Sequence, residues 1–243
     1  MGKLDLLNSV LHKIGFELAR YNKGINGILR RGAIFEKFNI DLIIDVGANT
    51  GLYGKECRQS GYKGQLISYE PLTNAFEKLI RNIKNDPAWK AYNFALGSEN
   101  SKQLINVSAN SHSSSILEIS DTHTNAETSA SYIGKQEIQI KTLDSVFDDI
   151  KGKSREIFLK IDTQGFELNV LKGAANSLSK IHTVQLEMSL QSLYIGQPLY
   201  KDVMAFLHSN DYTLLDVEPG FADSNTGSLL QFDGIFRKSK FIK

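Results

Sequence analysis

The sequence predicts a doubly wound α/β fold, in which helices cover both faces of a mostly parallel sheet. Short apolar runs alternate with helix-like segments from residue 41 onward, and such alternation is typical of repeated β–α units. The first apolar run ends in a glycine-rich turn, which is common where a strand passes into a helix at a ligand site. The chain of 243 residues is long enough for one such domain with a helical extension.

The helical extension is predicted at residues 1–38, and the main domain is predicted at residues 39–243. Apolar residues recur in steps of three and four near the N-terminus, which places them on one helix face: Leu4, Leu7, Leu11, Ile14 and Leu18. Asparagines and glycines at residues 22–27 break the helix. We expect the apolar face to pack on the core. The alternatives are a dimer contact and a cap over the active site.

The main domain is predicted to contain two sets of strand–helix units. The first set has strands at residues 42–46, 65–70 and 91–96, with helices at 52–60 and 73–84. The second set has strands at 156–161, 183–188, 212–217 and 229–237, with helices at 167–178 and 199–209. We expect the last two strands to form an antiparallel edge of the sheet.

A polar insertion at about residues 102–141 separates the two sets. Residues 102–107 and 137–141 are expected to form strands of a hairpin or small sheet. The stretch between them, residues 108–135, is rich in Ser, Thr, Asn and His and lacks periodicity. Long loops of this kind are often functional, so we expect a mobile lid that orders when the acceptor binds.

Composition and charge narrow the classes of partner and compartment. The net charge of +1 gives no electrostatic reason to expect nucleic acid. Cys57 is the single cysteine, which excludes an intramolecular disulfide framework and a multi-cysteine zinc site. No apolar run reaches the roughly 20 residues of a membrane span, and the first residues lack a signal-peptide pattern. We therefore expect a cytoplasmic protein without a membrane span.

The segment Asp-Val-Gly-Ala-Asn-Thr-Gly at residues 45–51 is the strongest indication of a ligand site. Glycine lets the backbone turn sharply near a ligand, and the following helix N-terminus offers free N–H groups. An acidic side chain at Asp45 would repel a pyrophosphate, but it would attract an ammonium group. S-adenosylmethionine carries an ammonium and a carboxylate and no phosphate. It therefore fits this segment better than a nicotinamide dinucleotide, whose G-x-G-x-x-G fingerprint is missing.

Two later strand ends agree with an adenosyl ligand. Glu70 ends the second predicted strand, where an acidic residue can accept hydrogen bonds from ribose hydroxyls. Ala95 and Leu96 end the third, where an adenine ring can lie against apolar side chains. The predicted cofactor-binding residues are Asp45, Gly47, Ala48, Asn49, Gly51, Glu70, Ala95, Leu96 and Asp162.

Several motifs together resemble the FkbM family of methyltransferases: DVGANTG at residues 45–51, YEP at 69–71, ALG at 95–97 and LKIDTQGFE at 159–167. VQLE at 184–187 and QFDGIF at 231–236 extend the resemblance over about residues 40–238. The family often has Glu where Gln164 stands. The resemblance implies a Rossmann-like class I methyltransferase fold and S-adenosylmethionine-dependent O-methylation, often of hydroxyls on sugars, glycolipids or polyketides.

Three residues are candidates for the catalytic chemistry. Asp162 ends a strand beside the expected methyl group, where it could accept the proton of the acceptor hydroxyl or help hold a divalent cation. Glu187, at the end of the next strand and facing the same crevice, is a second candidate that could help hold such a cation, with a structural role as its alternative. His112 in the Ser-rich stretch is a candidate base, with a solvated loop position as its alternative. The alternative for Asp162 is structural, as a helix cap or as a residue that orients the cofactor. Glu167 falls in the first turn of a helix, where an acidic residue is favoured anyway.

Three classes of function remain open from the sequence. The first is an O-methyltransferase that acts on a small-molecule or glycan hydroxyl. The second is a nicotinamide-dependent oxidoreductase or epimerase on a similar sheet, and the third is a non-catalytic cofactor-binding partner subunit. The sequence leaves open the acceptor, the need for a metal and the oligomeric state.

Overall fold

A computed structural model describes residues 3–242 of the chain. Its helices are α1 (Lys3–Leu11), α2 (Gly27–Lys37), α3 (Leu52–Gln59), α4 (Thr73–Ile83), α5 (Asp121–Ala126), α6 (Leu143–Lys151), α7 (Glu167–Lys172) and α8 (Tyr200–Ser209). Its strands are β1 (Leu42–Val46), β2 (Gln65–Tyr69), β3 (Trp89–Tyr92), β4 (Ala95–Leu96), β5 (Ser101–Ser108), β6 (Tyr132–Lys141), β7 (Ile157–Ile161), β8 (Thr183–Ser189), β9 (Tyr212–Pro219) and β10 (Gln231–Lys238).

Seven strands form the central sheet, in the order β3-β2-β1-β7-β8-β10-β9. Five neighbouring strands of this sheet are parallel to one another: β3, β2, β1, β7 and β8. β10 runs antiparallel to both β8 and β9, so the last two strands form the expected antiparallel edge. The predicted doubly wound α/β fold is confirmed.

Apolar side chains on the two sheet faces explain why the central strands hold together. Every residue of β1 and β7 is buried, as expected for parallel strands covered on both faces. On one face, Leu159 and Leu186 belong to a core shared with α7. On the other face, Ile43 and Phe158 pack with Phe35 of α2.

The predicted third strand, residues 91–96, is wrong as a single element. β3 ends at Tyr92 and pairs with β2 in the central sheet. Ala95 and Leu96 leave that sheet and pair instead with β6, in a second sheet of order β4-β6-β5. Asn93 lies at the change of direction, where its side-chain amide donates to the carbonyl oxygens of Glu70 (2.9 Å) and Pro71 (3.0 Å).

The polar insertion is more ordered than the sequence pattern indicates. β5 and β6 form the predicted antiparallel hairpin, and α5 lies between them. Ser113, Ser114 and Ser115 are buried rather than solvated, and the hydroxyl of Ser115 donates to the carbonyl oxygen of Gln164 (2.7 Å). These serines are buried through hydrogen bonds and not through apolar contacts. Their segment therefore lacks the apolar periodicity that marks buried elements in a sequence, and the pattern alone predicts a loop. That the segment acts as a lid stays a prediction.

The expectation that the N-terminal apolar face packs on the core is wrong. Leu7, Ile14 and Leu18 are 48%, 66% and 46% exposed. The helix stops before Gly15, whose φ of +78° turns the chain, and other helices already cover both sheet faces. α2 packs instead, because Phe35 is buried edge-on against Phe158 with ring centroids 5.1 Å apart. Within residues 3–242, no helix combines the length and the apolar character needed to cross a membrane.

Candidate functional site

A cavity of about 370 Å³ lies at the carboxyl ends of β1, β2, β7 and β8. The turn after β1 forms its floor, and β4, the insertion, α2 and α3 form its sides. Helix α1 contributes none of its lining residues, so the described structure gives no support to a cap by that helix. Its polar lining residues include Arg31, Asn49, Tyr53, Glu56, Glu70, Lys160, Asp162, Gln164, Gln185, Glu187 and Asp233.

The turn at residues 47–51 brings two strand ends into close contact. Gly47 has a φ of +80°, and a Cβ at this position would overlap the carbonyl oxygen of Asp162. Only glycine fits here, because any side chain would push β1 and β7 apart. Asn49 also has a positive φ (47°), and its backbone N–H points at Glu70.

Glu70 holds the turn from the neighbouring strand. Its Oε2 accepts the backbone N–H of Asn49 (2.8 Å), and its Oε1 accepts the backbone N–H of Leu72 (2.8 Å). Burial raises the pKa of this carboxyl to about 7. Each oxygen keeps a second lone-pair direction for a ligand hydroxyl in the cavity.

Asp45 lies below the cavity and does not line it. It is fully buried; Ser68 Oγ donates to its Oδ2 (3.1 Å), and Lys160 Nζ lies 3.7 Å from its Oδ1. Burial raises the pKa of Asp45, and Lys160 opposes that rise. The expected direct contact with a ligand ammonium is therefore not what the structure shows, since Asp45 faces Lys160 instead.

Strand pairing places the polar residues in rows across one sheet face. Residues paired directly across neighbouring strands share a face. One row runs through Ser68, Asp45, Lys160 and Gln185. A second row runs through Glu187, Asp233 and Glu218. Of these two rows, Lys160, Gln185, Glu187 and Asp233 line the cavity.

Gln164 joins the two candidate carboxylates. Its Nε2 donates to Asp162 Oδ1 (2.8 Å) and to Glu187 Oε2 (3.0 Å), while its Oε1 accepts the hydroxyl of Tyr194 (2.7 Å). Lys160 Nζ donates to the other oxygen of Asp162 (3.2 Å). Both oxygens of Asp162 are therefore engaged.

Glu187 has one oxygen free of the described hydrogen bonds. Its Oε2 accepts from Gln164 and from Gln231 Nε2 (2.8 Å), and its Oε1 has no such partner within residues 3–242. Burial, together with the charges of Asp162 and Asp233, raises the pKa of Glu187 well above its ordinary value. This carboxyl can therefore take up or release a proton nearer to neutral pH than an exposed glutamate can.

A metal site does not fit these residues. In the described part of the chain, no group of three or more His, Cys, Asp or Glu side chains is arranged to hold a metal ion. Asp162 and Glu187 are close, but the amide of Gln164 donates to both where a cation would need a further acceptor. The divalent cation expected as one possibility therefore has no support in the described residues.

Comparison with protein families settles the broad assignment. The methyltransferase FkbM domain matches residues 45–214, which is more than half of the chain. The chain belongs to the FkbM methyltransferase family. It is therefore an S-adenosylmethionine-dependent methyltransferase, as the sequence motifs predicted.

Several solved methyltransferase structures are similar to this chain at low sequence identity. A candidate RNA methyltransferase from Pyrococcus horikoshii is 10% identical, with a TM-score of 0.50 over 100% of both chains. An rRNA methylase from Streptococcus thermophilus is 8% identical, with a TM-score of 0.48 over 88% of this chain and 98% of that one. A TehB-like S-adenosylmethionine-dependent methyltransferase from Corynebacterium glutamicum is 11% identical, with a TM-score of 0.45 over 96% and 95%. No protein of curated function matches the sequence significantly.

The structure brings most of the predicted residues of this FkbM methyltransferase to one cavity. The lining includes Gly47, Ala48, Asn49, Glu70, Ala95, Leu96, Asp162, Glu187 and the exposed His112. Asp45 and Gly51 lie outside it. Glu167 is buried below the turn and accepts the backbone N–H groups of Thr163 (2.9 Å) and Gly165 (3.1 Å), which is a structural position.

The lining residues that were not assigned to the site from the sequence include Arg31, Tyr53, Lys160, Gln185 and Asp233. Three of them, Lys160, Gln185 and Asp233, lie within buried strands and carry a signal that could have been used. Buried strands in the middle of a sheet are expected to be apolar throughout, so polar residues at alternating positions are exceptions. Lys160 precedes Asp162 by two, and Gln185 precedes Glu187 by two. Arg31 and Tyr53 lie on helices and carry no comparable signal.

Proposed function

We propose that this FkbM methyltransferase transfers the methyl group of S-adenosylmethionine to a hydroxyl of a neutral polar acceptor, such as a sugar, a glycan or a hydroxylated secondary metabolite. The observation that carries the proposal is the wall of carboxyl groups beside the glycine turn, formed by Asp162, Glu187 and Asp233. Lys160 is the cation nearest to this wall, and Asp45 and Asp162 already balance its charge.

The cofactor end of the cavity is proposed to be the turn after β1 together with Glu70, Ala95 and Leu96. Glu70 accepts hydrogen bonds from the ribose hydroxyls, because its oxygens have lone pairs left over from their backbone partners. Ala95 and Leu96 offer a buried apolar surface for the adenine ring. Asp45 acts indirectly, by holding Lys160 in place.

When bound, the cofactor supplies an electrophilic methyl group on a sulfonium. The residues of the chain then have to align the acceptor oxygen with that methyl group and accept the proton of the hydroxyl. The new O–C bond forms as the S–C bond breaks, and the hydroxyl proton passes to Glu187 Oε1. Glu187 suits this step because Gln164 and Gln231 fix its other oxygen.

Asp162 is proposed to orient and to balance charge. Each of its oxygens already accepts one hydrogen bond, from Lys160 or from Gln164, whereas Glu187 Oε1 accepts none from the described residues, so Glu187 Oε1 is the more open acceptor for the hydroxyl proton. Lys160 stays charged beside it: burial alone would lower the lysine pKa, but Asp162 and Asp45 together raise it above its ordinary value. His112 at the rim of the cavity is the alternative base.

A nucleic-acid acceptor is the second candidate, because a candidate RNA methyltransferase shares the fold. At about 10% identity, that likeness concerns the fold alone. The wall of carboxyl groups disfavours binding of a phosphodiester backbone. Proteins that bind nucleic-acid phosphates have an excess of arginine and lysine over acidic residues at the binding surface.

The test is methyl transfer from radiolabelled S-adenosylmethionine to a matched panel of acceptors. Neutral methyl glycosides and flavonoid polyphenols form one arm, and RNA oligonucleotides form the other. We expect label in the hydroxyl-bearing small molecules. Label in RNA alone would overturn the proposed acceptor class, and label in no acceptor together with tight S-adenosylhomocysteine binding would point to a narrower acceptor than the panel covers.

A further inference from the structure

Helix α2 contributes a charged side chain to the end of the cavity opposite Glu70. Arg31 is 7% exposed and lines the cavity. Its Nη1 donates to Glu218 on β9 (2.6 Å), its Nη2 donates to Glu56 on α3, and its guanidinium lies 5.2 Å from the ring centroid of Tyr53. The side chain is thus held rigidly, with three of its five N–H groups left over.

Asp233 on β10 lies directly across from Glu187 and on the same face of the sheet as Glu187. Gln185 Nε2 donates to its Oδ1 (3.2 Å), and Gln185 Oε1 accepts the hydroxyl of Tyr53 (2.8 Å). No described hydrogen bond uses Asp233 Oδ2, although Asp233 lines the cavity. A fixed carboxylate with a free oxygen therefore faces the same space as the guanidinium.

These two side chains act on each other electrostatically. Burial raises the pKa of Asp233, and Lys160 and Arg31 oppose that rise. Arg31 itself is balanced by Glu56 and Glu218. The end of the cavity therefore offers hydrogen-bond donors and an acceptor together, without the excess positive charge that an anionic ligand needs.

We propose that Arg31 and Asp233 form an acceptor subsite for an uncharged, hydroxyl-rich part of the acceptor, next to the hydroxyl that is methylated. Hydroxyl groups both donate and accept, so neighbouring hydroxyls can bond to the carboxylate oxygen and to the guanidinium at once. The inference rests on the proposed function, and it adds a recognition site formed by side chains from both ends of the chain.

The test measures binding rather than turnover, with protein saturated by S-adenosylhomocysteine. Saturation-transfer NMR is recorded with methyl glucopyranoside, methyl rhamnopyranoside and myo-inositol as neutral probes, and with glucose 6-phosphate and glucuronate as anionic ones. We expect at least one neutral probe to bind and the anionic ones not to bind. Asp233→Asn and Arg31→Met should each lower the affinity for the bound probe by about tenfold or more, since each removes a charged hydrogen-bonding group.

Arg30→Met is the matched control. Arg30 is the neighbouring arginine and pairs with Asp216 on β9 (3.0 Å), but it does not line the cavity. Probe binding should be unchanged in this variant, and S-adenosylhomocysteine affinity should be unchanged in all three. Asp233→Asn keeps the test informative if Arg31→Met does not fold.

The outcomes separate the two proposals. The subsite is overturned if no neutral probe binds to the wild type, if an anionic probe binds as well as a neutral one, or if Arg30→Met causes the same loss as the other variants. Failure of S-adenosylhomocysteine to bind would instead overturn the proposed cofactor end. Probe binding without methyl transfer to any hydroxyl would support the subsite and contradict the proposed reaction.

Discussion

Glu70 is the single residue on which the proposed cofactor end depends most. A carboxyl whose pKa is raised on folding binds its proton more tightly in the folded chain than in the unfolded one. The ordinary pKa of Glu70 is 4.5, and its pKa in the folded protein is about 7. The free energy of unfolding therefore falls as the pH rises through this interval. Ribose hydroxyls donate to the ionised form, so cofactor binding should recover part of that cost.

Cofactor affinity should accordingly rise with pH across this range. We expect the affinity for S-adenosylhomocysteine, measured by calorimetry, to increase roughly tenfold between pH 6 and pH 8, because Glu70 ionises over this interval. Glu70→Gln should weaken binding by about 10- to 100-fold and should flatten the pH dependence. A Glu70→Gln protein that keeps the fold, the affinity and the pH slope of the wild type would contradict the assignment.

Glu187 and Asp162 make a pair of variants that separates the base from its neighbour. We expect kcat of the wild type to rise with pH as Glu187 loses its proton, because the proposed base must be ionised to accept the hydroxyl proton. Glu187→Gln should lower kcat by about 10²- to 10⁴-fold and abolish this rise, because the group that takes the proton is gone. Asp162→Asn should lower kcat but keep that rise. S-adenosylhomocysteine affinity should change much less than kcat in both. If Asp162→Asn is the variant that loses the pH dependence, Asp162 is the base.

Gly47 and Gly61 test how closely two strands approach. Both have a positive φ, but a Cβ at Gly47 would overlap the carbonyl oxygen of Asp162, whereas a Cβ at Gly61 would meet nothing within 4 Å. Gly61→Ala should cost about 1–2 kcal/mol in the free energy of unfolding, from the backbone conformation alone. Gly47→Ala should cost more and should also weaken S-adenosylhomocysteine binding. Equal losses in urea titrations would show that the contact with Asp162 relaxes freely.

Register decided which site residues could be predicted. Glu70, Asp162 and Glu187 follow or end apolar runs, so their place at the sheet edge is visible in the sequence. The contact of Asp45 with Lys160 depends instead on which residue of β7 lies opposite β1, and one position of slip would turn Lys160 to the other face. No local pattern contains that information, and for this reason Asp45 was assigned to the ligand.

At the scale of elements, the two N-terminal helices differ sharply in what they bury. No residue from Leu4 to Arg30 is buried, whereas Phe35 of α2 packs between Tyr62 and Phe158, with ring centroids 5.4 and 5.1 Å away. Helical periodicity reports that a segment has an apolar face, but it does not report which surface receives that face. This explains why the helix was predicted and its packing was not.

Deletion of the N-terminal segment and substitution of Phe35 should therefore differ greatly in their effect on stability. Removing residues 1–20 should change the free energy of unfolding by less than about 1 kcal/mol, because little apolar surface there is buried in the described fold. Phe35→Ala should cost about 3–5 kcal/mol. Chemical denaturation measures both. A large loss on deletion would show that α1 is covered in solution, as a dimer contact would require.

The strands of the main domain were predictable because their burial is simple. β1 was predicted with the bounds it has, and β2, β7, β8 and β10 lie within two residues of their predicted ends. The third strand failed because residues 91–96 are continuous in sequence but serve two sheets. Helix α6, Leu143–Lys151, was missed as well.

At the scale of the whole molecule, cofactor binding should be visible as stability. A ligand that binds only the folded state at 100 times its Kd adds about 2.7 kcal/mol, which for a chain of this size is a rise in Tm of roughly 5–10 °C. We expect S-adenosylhomocysteine to produce such a rise in differential scanning fluorimetry and NAD to produce none. A rise with NAD alone would contradict the proposed cofactor end.

The family match spans residues 45–214, yet Arg31 precedes it and Asp233 follows it. The two flanks meet in space because β10 lies between β8 and β9 in the sheet. On the other flank, Arg31 of α2 forms an ion pair with Glu218 of β9. If Arg31 and Asp233 form the proposed acceptor subsite, this part of acceptor recognition is encoded outside the stretch that carries the proposed cofactor end. Grafting α2 and the β9–β10 hairpin between members of the family should exchange their acceptors and leave the donor site intact. Divergence in the flanks alone would then be enough to give one methyl-transferring scaffold many products.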